Sequence, residues 1–325
     1  MARQRIAVVD LGTNSTRLLV AEVRDGQLQQ LERRTKVTRL GEGVDAEGRL
    51  SDAAIGRVVA VAEEYRRLID EHGADRIVAV ATSAMRDAKN GPEFAALLRG
   101  RFGIGARTIP GEEEARLSFL GATAGRSDDE TLVIDIGGGS TEYVIGAPGQ
   151  DPEFHASTRM GSVRHTERYL HYDPPTDGQL AELRASAREI VEAEVPAELR
   201  GEVECGIAVA GTATSLAAID QELEPYDPDR VHGYELGAET CERVLLELAA
   251  LPVEERRELT GLHPDRAPTI VAGVAVLIES MAAFGLDRLE VSEADILHGA
   301  ALDAAGDSGG RIAGDSGGGT AGEAG

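Results

Sequence analysis

The sequence predicts an α/β protein of two domains, and three observations support this prediction. Short apolar runs typical of strands alternate with helical patterns along most of the chain, and this alternation is typical of α/β folds. The chain has 325 residues, which is more than one hydrophobic core usually serves. A turn motif near the start also recurs before the middle of the chain, which indicates two related halves.

The first half begins with two predicted strands joined by a glycine turn. These strands cover residues 6–10 and 18–21, and a third strand follows over 28–40. Ser51 caps a long helix with apolar residues at helical spacing, and Gly73 ends it. The other predicted elements are a strand over 77–81, a turn at 82–84, a helix from Pro92 to Arg101, a strand over 107–109 and a helix after Gly111.

The second half repeats this opening. Strand-like runs at 132–136 and 143–145 flank a second glycine turn, and a loop region then extends to a helix that starts at Thr176. The remaining predicted elements are a strand over 207–210, helices over 237–260 and 266–284, a strand over 289–292 and a last helix that ends near residue 305.

The repeated opening also suggests domain boundaries. We expect domain I over residues 1–125 and domain II over 126–305, with the last helix (about 294–305) packing back on domain I. Residues 306–325 include nine glycines. Because such a segment cannot bury enough apolar surface to fold, we predict a disordered tail there.

Composition excludes several classes of function. Lys and Arg number 33 against 57 Asp and Glu, a net charge of −24, which disfavours nucleic acid and anionic membranes as partners. Neither lysine, Lys36 or Lys89, follows a glycine, so the Gly-Lys-Ser/Thr core of a P-loop is absent. No signal peptide or membrane-length apolar run is found, which predicts a cytoplasmic protein. Cys205 and Cys241 are too few for a disulfide framework, and we expect both to be buried.

The repeated turn carries residue types that suit phosphate. Residues 10–16 read Asp-Leu-Gly-Thr-Asn-Ser-Thr, and residues 135–141 read Asp-Ile-Gly-Gly-Gly-Ser-Thr. Glycines let backbone N–H groups approach an anion, hydroxyls add donors, and a carboxylate at a strand end can hold a hydrated cation that bridges to phosphate oxygens. Two ordinary β-hairpins with glycine turns are the competing interpretation. The matched hydroxyls favour two facing turns that grip a phosphate chain and its metal.

Together with residues 81–88 (Ala-Thr-Ser-Ala-Met-Arg-Asp-Ala) and 111–117 (Gly-Glu-Glu-Glu-Ala-Arg-Leu), these motifs resemble the Ppx/GppA (exopolyphosphatase/guanosine pentaphosphate phosphohydrolase) family. The resemblance spans about residues 5 to 303. That family belongs to the actin-like ATPase superfamily. The resemblance therefore implies two actin-like (ribonuclease H-like) domains with an interdomain active-site cleft, as in the short two-domain members.

The resemblance also implies an activity. It predicts an exopolyphosphatase that hydrolyses the terminal phosphate of inorganic polyphosphate with Mg²⁺ as cofactor. Guanosine pentaphosphate, cleaved at its terminal 5′-phosphate, is the alternative substrate, and a superfamily kinase or ATP-binding protein is the second alternative. Dimerisation is common in the family, so the resemblance is compatible with a homodimer.

Particular residues take roles from the same resemblance. Glu114 precedes the Ala-Arg pair of the family motif and corresponds to the general base that takes a proton from the attacking water. The competing interpretation is an acidic residue that stabilises the first turn of a helix. Asp135 is the second predicted catalytic residue. The predicted metal ligands are Asp10, Asp135 and Glu142, and the predicted phosphate-binding residues are Gly12, Thr13, Asn14, Ser15, Arg86, Gly137, Gly138, Gly139 and Ser140.

Other residues receive less specific interpretations. Arg17 is interpreted as a surface residue, and Gly211-Thr212 either faces substrate or closes a strand-to-helix turn. The histidines lack metal-ligand spacing and are treated as structural. A dense basic cluster on the third strand is interpreted as a solvated face, with an anion-guiding lip as the alternative; it comprises Arg33, Arg34, Lys36 and Arg39.

Overall fold

The computed structural model describes residues 3–126 and 130–310. Two β-sheets with helices packed against them confirm the predicted α/β fold. Among the described residues, no helix combines the length and apolar character needed to cross a membrane.

Five strands from the first half of the chain form the first sheet. They are β1 (Gln4–Leu11), β2 (Ser15–Arg24), β3 (Gln27–Val37), β4 (Arg76–Ala81) and β5 (Arg107–Thr108). Their order is β3-β2-β1-β4-β5, with β1 antiparallel to β2 and parallel to β4. The helices of this half are α1 (Val44–Glu47), α2 (Asp52–His72), α3 (Ser83–Asp87), α4 (Gly91–Phe102) and α5 (Gly111–Ala122).

Six strands from the second half form the other sheet. They are β6 (Thr131–Ile136), β7 (Thr141–Gly146), β8 (Phe154–Thr158), β9 (Gly206–Val209), β10 (Tyr234–Gly237) and β11 (Arg288–Val291), in the order β10-β11-β9-β6-β7-β8. The helices of this half, with a 3₁₀ turn at Pro264–Arg266, are α6 (Ser162–Tyr169), α7 (Asp177–Glu194), α8 (Ala197–Glu202), α9 (Ala210–Asp220), α10 (Pro228–Val231), α11 (Ala238–Ala250), α12 (Val253–Arg256), α13 (Ile270–Phe284) and α14 (Ile296–Gly310).

Helices α5 and α14 join the two sheets. Apolar residues of α14, among them Leu297, pack against β1 and β2 of the first sheet. Phe119 of α5 packs against Val133 and Val144 of the second sheet. The two helices are in backbone contact, because a Cβ atom on Gly121 would lie 1.9 Å from a carbonyl oxygen at the start of α14. Helix α5 is therefore held between the two halves of the chain.

Helix boundaries follow the predicted signals closely in several places. The Ser51 side chain accepts a hydrogen bond from the backbone N–H of Ala54 at 3.2 Å, and Gly73 ends α2 with a φ of 59°. Thr176 forms a capping box with Gln179 at the start of α7. These caps confirm the predicted bounds, because each satisfies backbone groups that the helix leaves free.

Other elements differ from the prediction. The loop region before Thr176 contains the edge strand β8 and the polar helix α6, which have too few apolar residues to be recognised. The helix predicted over 237–260 is two helices, because Pro252 precedes α12. Cys241 is buried as expected, but Cys205 is exposed because it precedes β9 at the surface.

The predicted tail lies mostly outside the described residues. Helix α14 continues to Gly310, past residue 306 where the tail was predicted to begin. Residues 311–325 are outside the described part of the chain.

His165 in α6 predicts an acid-sensitive step in stability. Its ring is fully buried, and neither ring nitrogen has a partner among the residues that the structure describes. Burial, with Arg168 and Arg164 nearby, lowers the pKa of His165 to about 4. Below its ordinary pKa of about 6.5, the unfolded state binds the proton more readily, so stability falls as the pH drops from about 6.5 towards 4.

The matching variant is His165→Leu, which removes the titrating group. Between pH 7 and pH 5, we expect the parent to lose about 2 kcal/mol more free energy of unfolding than the variant. Urea unfolding at both pH values measures this difference. Equal losses in the two proteins would show that His165 does not couple to folding.

Candidate functional site

The two repeated turns have the same internal hydrogen bond. In the first turn the Gly12 N–H donates to the Ser15 carbonyl, and in the second the Gly137 N–H donates to the Ser140 carbonyl, both at 3.0 Å. Each turn connects two antiparallel strands of its own sheet. The sequence repeat is therefore also a structural repeat.

The turns face each other and are nearly in contact. A Cβ atom on Gly138 would lie 3.0 Å from the backbone nitrogen of Asn14. A Cβ atom on Gly139 would lie 2.8 Å from Thr13 Oγ1 and 2.6 Å from Ser83 Oγ. The distances at Gly139 are shorter than real Cβ contacts and those at Gly138 are at the short limit, so glycine at both positions favours the close approach of the two turns.

A small cavity of about 80 Å³ lies between the turns. One water molecule needs roughly 10–15 Å³, so a phosphoryl group with an attacking water fits in this space. All the predicted site residues line it except Arg86 and Glu142. Those that do are Asp10, Gly12, Thr13, Asn14, Ser15, Glu114, Asp135, Gly137, Gly138, Gly139 and Ser140.

Buried polar atoms without partners face this cavity. Among the described residues, Asp10 Oδ1, Thr13 Oγ1 and Asn14 Oδ1 are buried and make no hydrogen bond. Buried polar atoms are nearly always hydrogen-bonded in folded proteins, so an unsatisfied group needs an explanation. Three such atoms on one turn indicate that the turn is completed by a ligand.

Glu114 lies in the first turn of α5, the helix that packs between the two halves. It is 8% exposed, and its Oε2 accepts a hydrogen bond from Arg86 Nη1 at 3.2 Å. Burial is the main cause that raises the pKa of Glu114 to about 8; Arg86 opposes the rise and Asp135 adds to it. A carboxyl with a pKa near neutrality can exchange a proton with a water in the cavity.

Asp135 and Glu142 are neighbours across strands β6 and β7. Ser118 Oγ donates to Asp135 Oδ2 at 2.6 Å, and Ser157 Oγ donates to Glu142 Oε1 at 2.8 Å. Burial raises the pKa of both carboxyls, and the charge of Glu114 raises that of Glu142 further. Asp135 lines the cavity, whereas Glu142 lies outside its lining.

Arg86 also lies outside the cavity lining. Its Nη1 donates to the Ile109 carbonyl at 2.9 Å as well as to Glu114. Its observed contact is therefore with the predicted general base, and contact with phosphate stays a prediction.

Arg17 is largely buried, whereas the sequence predicted a surface residue. Its Nε donates to Asp10 Oδ2 at 2.8 Å, and its guanidinium also forms an ion pair with Asp295. Burial alone would lower the pKa of Arg17, but these carboxylates raise it well above its ordinary value. The side chain is 16% exposed, because β2 pairs Arg17 directly opposite Asp10 at the cleft.

The residues present suit a Mg²⁺ ion shared with substrate. Among the described residues, no three His, Cys, Asp or Glu side chains form a group that could hold a metal alone. However, Asp10 Oδ1 and Asn14 Oδ1 are unsatisfied oxygens that face the cavity. Mg²⁺ commonly binds one or two carboxylates, several waters and substrate phosphates. Asp10 and Asp135 fit this pattern. Glu142 does not line the cavity, and its metal role stays a prediction.

The segment Gly211-Thr212 lines the same cavity at the start of α9. The N-terminus of a helix favours anions, because its backbone N–H groups and dipole point towards them. Ala210, the first residue of α9, has a φ of 67°, which is rare for a residue with a side chain. A Cβ on Gly211 would collide with the Arg266 guanidinium, so glycine makes room for that arginine.

A second cavity of about 820 Å³ adjoins the first. Arg17, Ala210, Gly211 and Arg266 line both cavities and form the boundary between them. Within the described part of the chain, the Arg266 guanidinium forms no hydrogen bond or ion pair. Its charge is therefore available to an anion that extends from the small cavity into the large one.

Arg33 lines the large cavity rather than a solvated strand face. It pairs with Glu293 and lies 3.8 Å from Asp295, with a side chain 20% exposed. Of the four basic residues singled out in the sequence, Arg33 is thus engaged with the second half of the chain. This arrangement corrects the expected solvated face for Arg33.

The sequence repeat contained a signal for Arg17 that motif comparison overlooked. Arg17 follows Asp10 at the same distance along the chain as Glu142 follows Asp135. In both hairpins these residues are direct partners across the strands. Extending the comparison by one residue beyond the motif would have placed Arg17 beside Asp10.

The predicted role of Glu114 as general base implies a dependence of the rate on pH. Only the ionised carboxylate can accept a proton, and its pKa is about 8 rather than near 4.5. We expect kcat/KM to rise from pH 6 to about 8. Arg86→Gln removes a positive charge from Glu114 and should shift this rise to higher pH. A profile that is flat over this range in both proteins would contradict the assignment.

Comparisons with known proteins identify a family and several relatives to which this chain is similar. The sequence matches the model of the Ppx/GppA phosphatase family over residues 19–307. It is 39% identical, over 330 aligned residues, to a Mycobacterium tuberculosis protein named exopolyphosphatase 2; the alignment covers 94% of this chain and 100% of that protein.

Solved structures show the same likeness. The Ppx/GppA family member of Aquifex aeolicus superimposes with a TM-score of 0.79 and 31% identity, covering 94% of this chain and 99% of that one. An exopolyphosphatase from Cytophaga hutchinsonii gives a TM-score of 0.83 and 25% identity, covering 93% and 98%.

Proposed function

Because this chain belongs to the Ppx/GppA phosphatase family, we propose that it hydrolyses the terminal phosphate of inorganic polyphosphate. One observation supports this proposal most strongly. The two glycine turns, the Glu114 carboxyl and the unsatisfied polar atoms of the first turn all face one small cavity. This space suits a single phosphoryl group and a water, which are the reacting groups of a phosphate hydrolysis.

Glu114 is the group that activates the water. Its ionised carboxylate orients the water towards the terminal phosphorus and accepts its proton as the new P–O bond forms. The bond from that phosphorus to the bridging oxygen breaks, and the oxygen leaves with the shortened phosphate chain. Arg86 holds this carboxylate at one oxygen, which leaves the other oxygen for the water. General base catalysis of this kind contributes typically about 10²–10⁴-fold to a rate.

The two turns neutralise the charge on the transferred phosphoryl group. Backbone N–H groups of residues 13–15 and 138–140 and the hydroxyl of Thr13 surround the cavity, whereas the Gly12 and Gly137 N–H groups close their own turns. Such preorganised donors stabilise the transition state of phosphoryl transfer, in which charge spreads over the equatorial oxygens. When bound, Mg²⁺ at Asp10 and Asp135 supplies further positive charge to the phosphate oxygens.

The large cavity suits the remainder of the substrate. A polyphosphate chain is too long for 80 Å³, but the space continues past Arg17 and Arg266 into about 820 Å³. The Arg266 guanidinium, which has no hydrogen-bond or ion-pair partner among the described residues, lies at this boundary and suits the second phosphate of the chain.

Guanosine pentaphosphate is the second candidate substrate, and the same large cavity favours it. The volume of this cavity, about 820 Å³, falls within the roughly 300–1,000 Å³ that is common for small-molecule sites. Tyr226, Leu223 and Leu262 give part of its lining an apolar character suited to a base. The family to which this chain belongs is a phosphatase family, which argues against the kinase alternative.

Phosphate release from three substrates tests the proposal. Long-chain polyphosphate, tripolyphosphate and guanosine pentaphosphate are each incubated with the protein, with Mg²⁺ or with EDTA. We expect release from polyphosphate that depends on Mg²⁺ and exceeds release from guanosine pentaphosphate. Faster hydrolysis of the guanine nucleotide would favour the second candidate, and no release from any substrate would refute a phosphatase of this class.

A further inference from the structure

Arg164 is a buried arginine that the reaction described above does not use. It lies in the first turn of α6 and is 7% exposed. It is not among the residues that line either of the two cavities described above. A guanidinium buried away from the substrate needs a different explanation, because desolvating a charge is costly unless it is paired.

The partners of Arg164 come from both halves of the chain. Its Nε donates to the carbonyl of Gly139, in the second glycine turn, at 2.7 Å. Its Nη2 donates to Asp87 Oδ2 at 2.7 Å and to Ser83 Oγ at 3.3 Å, and its Nη1 pairs with Asp45. One side chain thus connects the second turn to helices α1 and α3 of the first half.

A second arginine completes this group. Arg159 pairs with the same two carboxylates, Asp87 and Asp45, at 3.2 and 3.1 Å. We call Arg159, Arg164, Asp45 and Asp87 the clasp. Nearby, the backbone N–H of Gly43 donates to Glu167 of α6 at 3.0 Å.

The clasp also reaches the first glycine turn through the backbone. The segment before α1 is tied to that turn, because the Gly41 N–H donates to the Thr13 carbonyl at 2.9 Å and the Thr38 N–H to the Asn14 carbonyl at 3.0 Å. Asp45 follows this segment directly. Arg164 therefore acts on both turns: directly at Gly139, and through Asp45 at Thr13.

The clasp and the 820 Å³ cavity lie against different parts of the 80 Å³ cavity. The space beside Arg164, bordered by Thr13 and Gly139, is only about 10 Å³. It shares no lining residue with the 820 Å³ cavity. The cleft is therefore closed where the clasp lies and open towards Arg266.

We propose that Arg164 is a positioning residue, which holds the two glycine turns at the separation that the reaction needs by clasping the two halves of the chain. Part of this inference rests on the proposed function, since it assigns the clasp a role in phosphate hydrolysis. The geometric part, that the clasp keeps the halves closed, does not depend on the substrate. A shift of about 1 Å in reacting groups can cost roughly 10²-fold in rate.

The kinetic test compares Arg164→Gln with a matched control. Arg256 is 3% exposed, pairs with Asp173 and donates to two backbone carbonyls, all within the second half. On whichever substrate the parent hydrolyses, we expect Arg164→Gln to lower kcat by about 10–100-fold, with KM changed far less. Arg256→Gln should lose thermal stability but keep kcat.

Two further variants keep the test decisive if Arg164→Gln folds poorly. Arg164→Lys retains the charge but loses the fork that reaches Gly139 and Asp87 together, so it should fall between the parent and Arg164→Gln. Asp87→Asn weakens the same clasp from the first half and should lower kcat in the same direction. A parent-like kcat in Arg164→Gln or Asp87→Asn, or an equal kcat loss in Arg256→Gln, would overturn the proposal.

A distance measurement tests the clasp without any activity. Spin labels are attached to the exposed Cys205 and to a cysteine replacing the exposed Glu93 on α4, while Cys241 is buried. We expect one narrow distance distribution in the parent and in Arg256→Gln, and a broader or longer one in Arg164→Gln. Unchanged distances in Arg164→Gln would refute the clasp. If the parent hydrolyses none of the three substrates, the proposed function fails and this measurement still decides on the clasp.

Discussion

Replacing Glu114 by Gln is expected to lower kcat by roughly 10²–10⁴-fold. The amide cannot accept a proton from the attacking water, although it has nearly the same shape as the carboxyl. Because burial raises the pKa of Glu114 to about 8, the parent carboxyl is largely protonated at pH 7. The amide therefore replaces a group that is mostly neutral, and we expect the variant to keep the parent's unfolding midpoint and its affinity for polyphosphate.

Glu112→Gln is the matched control for this variant. Glu112 lies in the same helical turn, but its side chain is 75% exposed. Phosphate release and calorimetric titration with polyphosphate are measured for both variants. Glu112→Gln should resemble the parent. If Glu114→Gln releases phosphate at the parent rate, or if both variants lose activity equally, Glu114 is not the general base.

Gly139→Ala is expected to lower kcat/KM by about 10²-fold. The added methyl group would lie 2.6 Å from Ser83 Oγ and 2.8 Å from Thr13 Oγ1, so these hydroxyls must rotate or the two glycine turns must move apart. Either change moves the Thr13 hydroxyl or the backbone N–H groups, and the donors around the cavity then no longer converge on one phosphoryl group. Steady-state phosphate release measures the loss.

A second glycine provides the control for Gly139→Ala. Gly100 lies in helix α4, and a Cβ atom there would meet nothing within 4 Å. Alanine is about 1 kcal/mol more favourable than glycine inside a helix, so Gly100→Ala should keep the activity and raise the unfolding midpoint slightly. Full activity in Gly139→Ala would mean that the facing turns do not form the reaction site.

Much of the fold was predictable from local signals. Residues 10–16 and 135–141 indicated the structural repeat, because the strand–glycine–strand pattern is contained in a short segment. Ser51 and Gly73 marked the ends of α2 for the same reason, since a cap acts on its own helix. Most residues of the candidate site were predicted from this repeat, and Glu114 was predicted from the family resemblance.

The contacts that sequence reasoning missed join residues far apart in the chain. Arg17 pairs with Asp295 across 278 positions, and Arg33 pairs with Glu293 across 260. No local pattern specifies such pairs, because they exist only once α14 and the short segment before it have packed against the first sheet. Arg164 was missed for the same reason: its carboxylate partners lie on the other half of the chain.

The most direct test of the central claim is a crystal structure of Glu114→Gln with polyphosphate and Mg²⁺. The account predicts that the terminal phosphoryl group lies between the two glycine turns, bonded to backbone N–H groups of residues 13–15 and 138–140, with the rest of the chain passing Arg266. A chain bound only in the 820 Å³ cavity, with no phosphoryl group between the two turns, would contradict it.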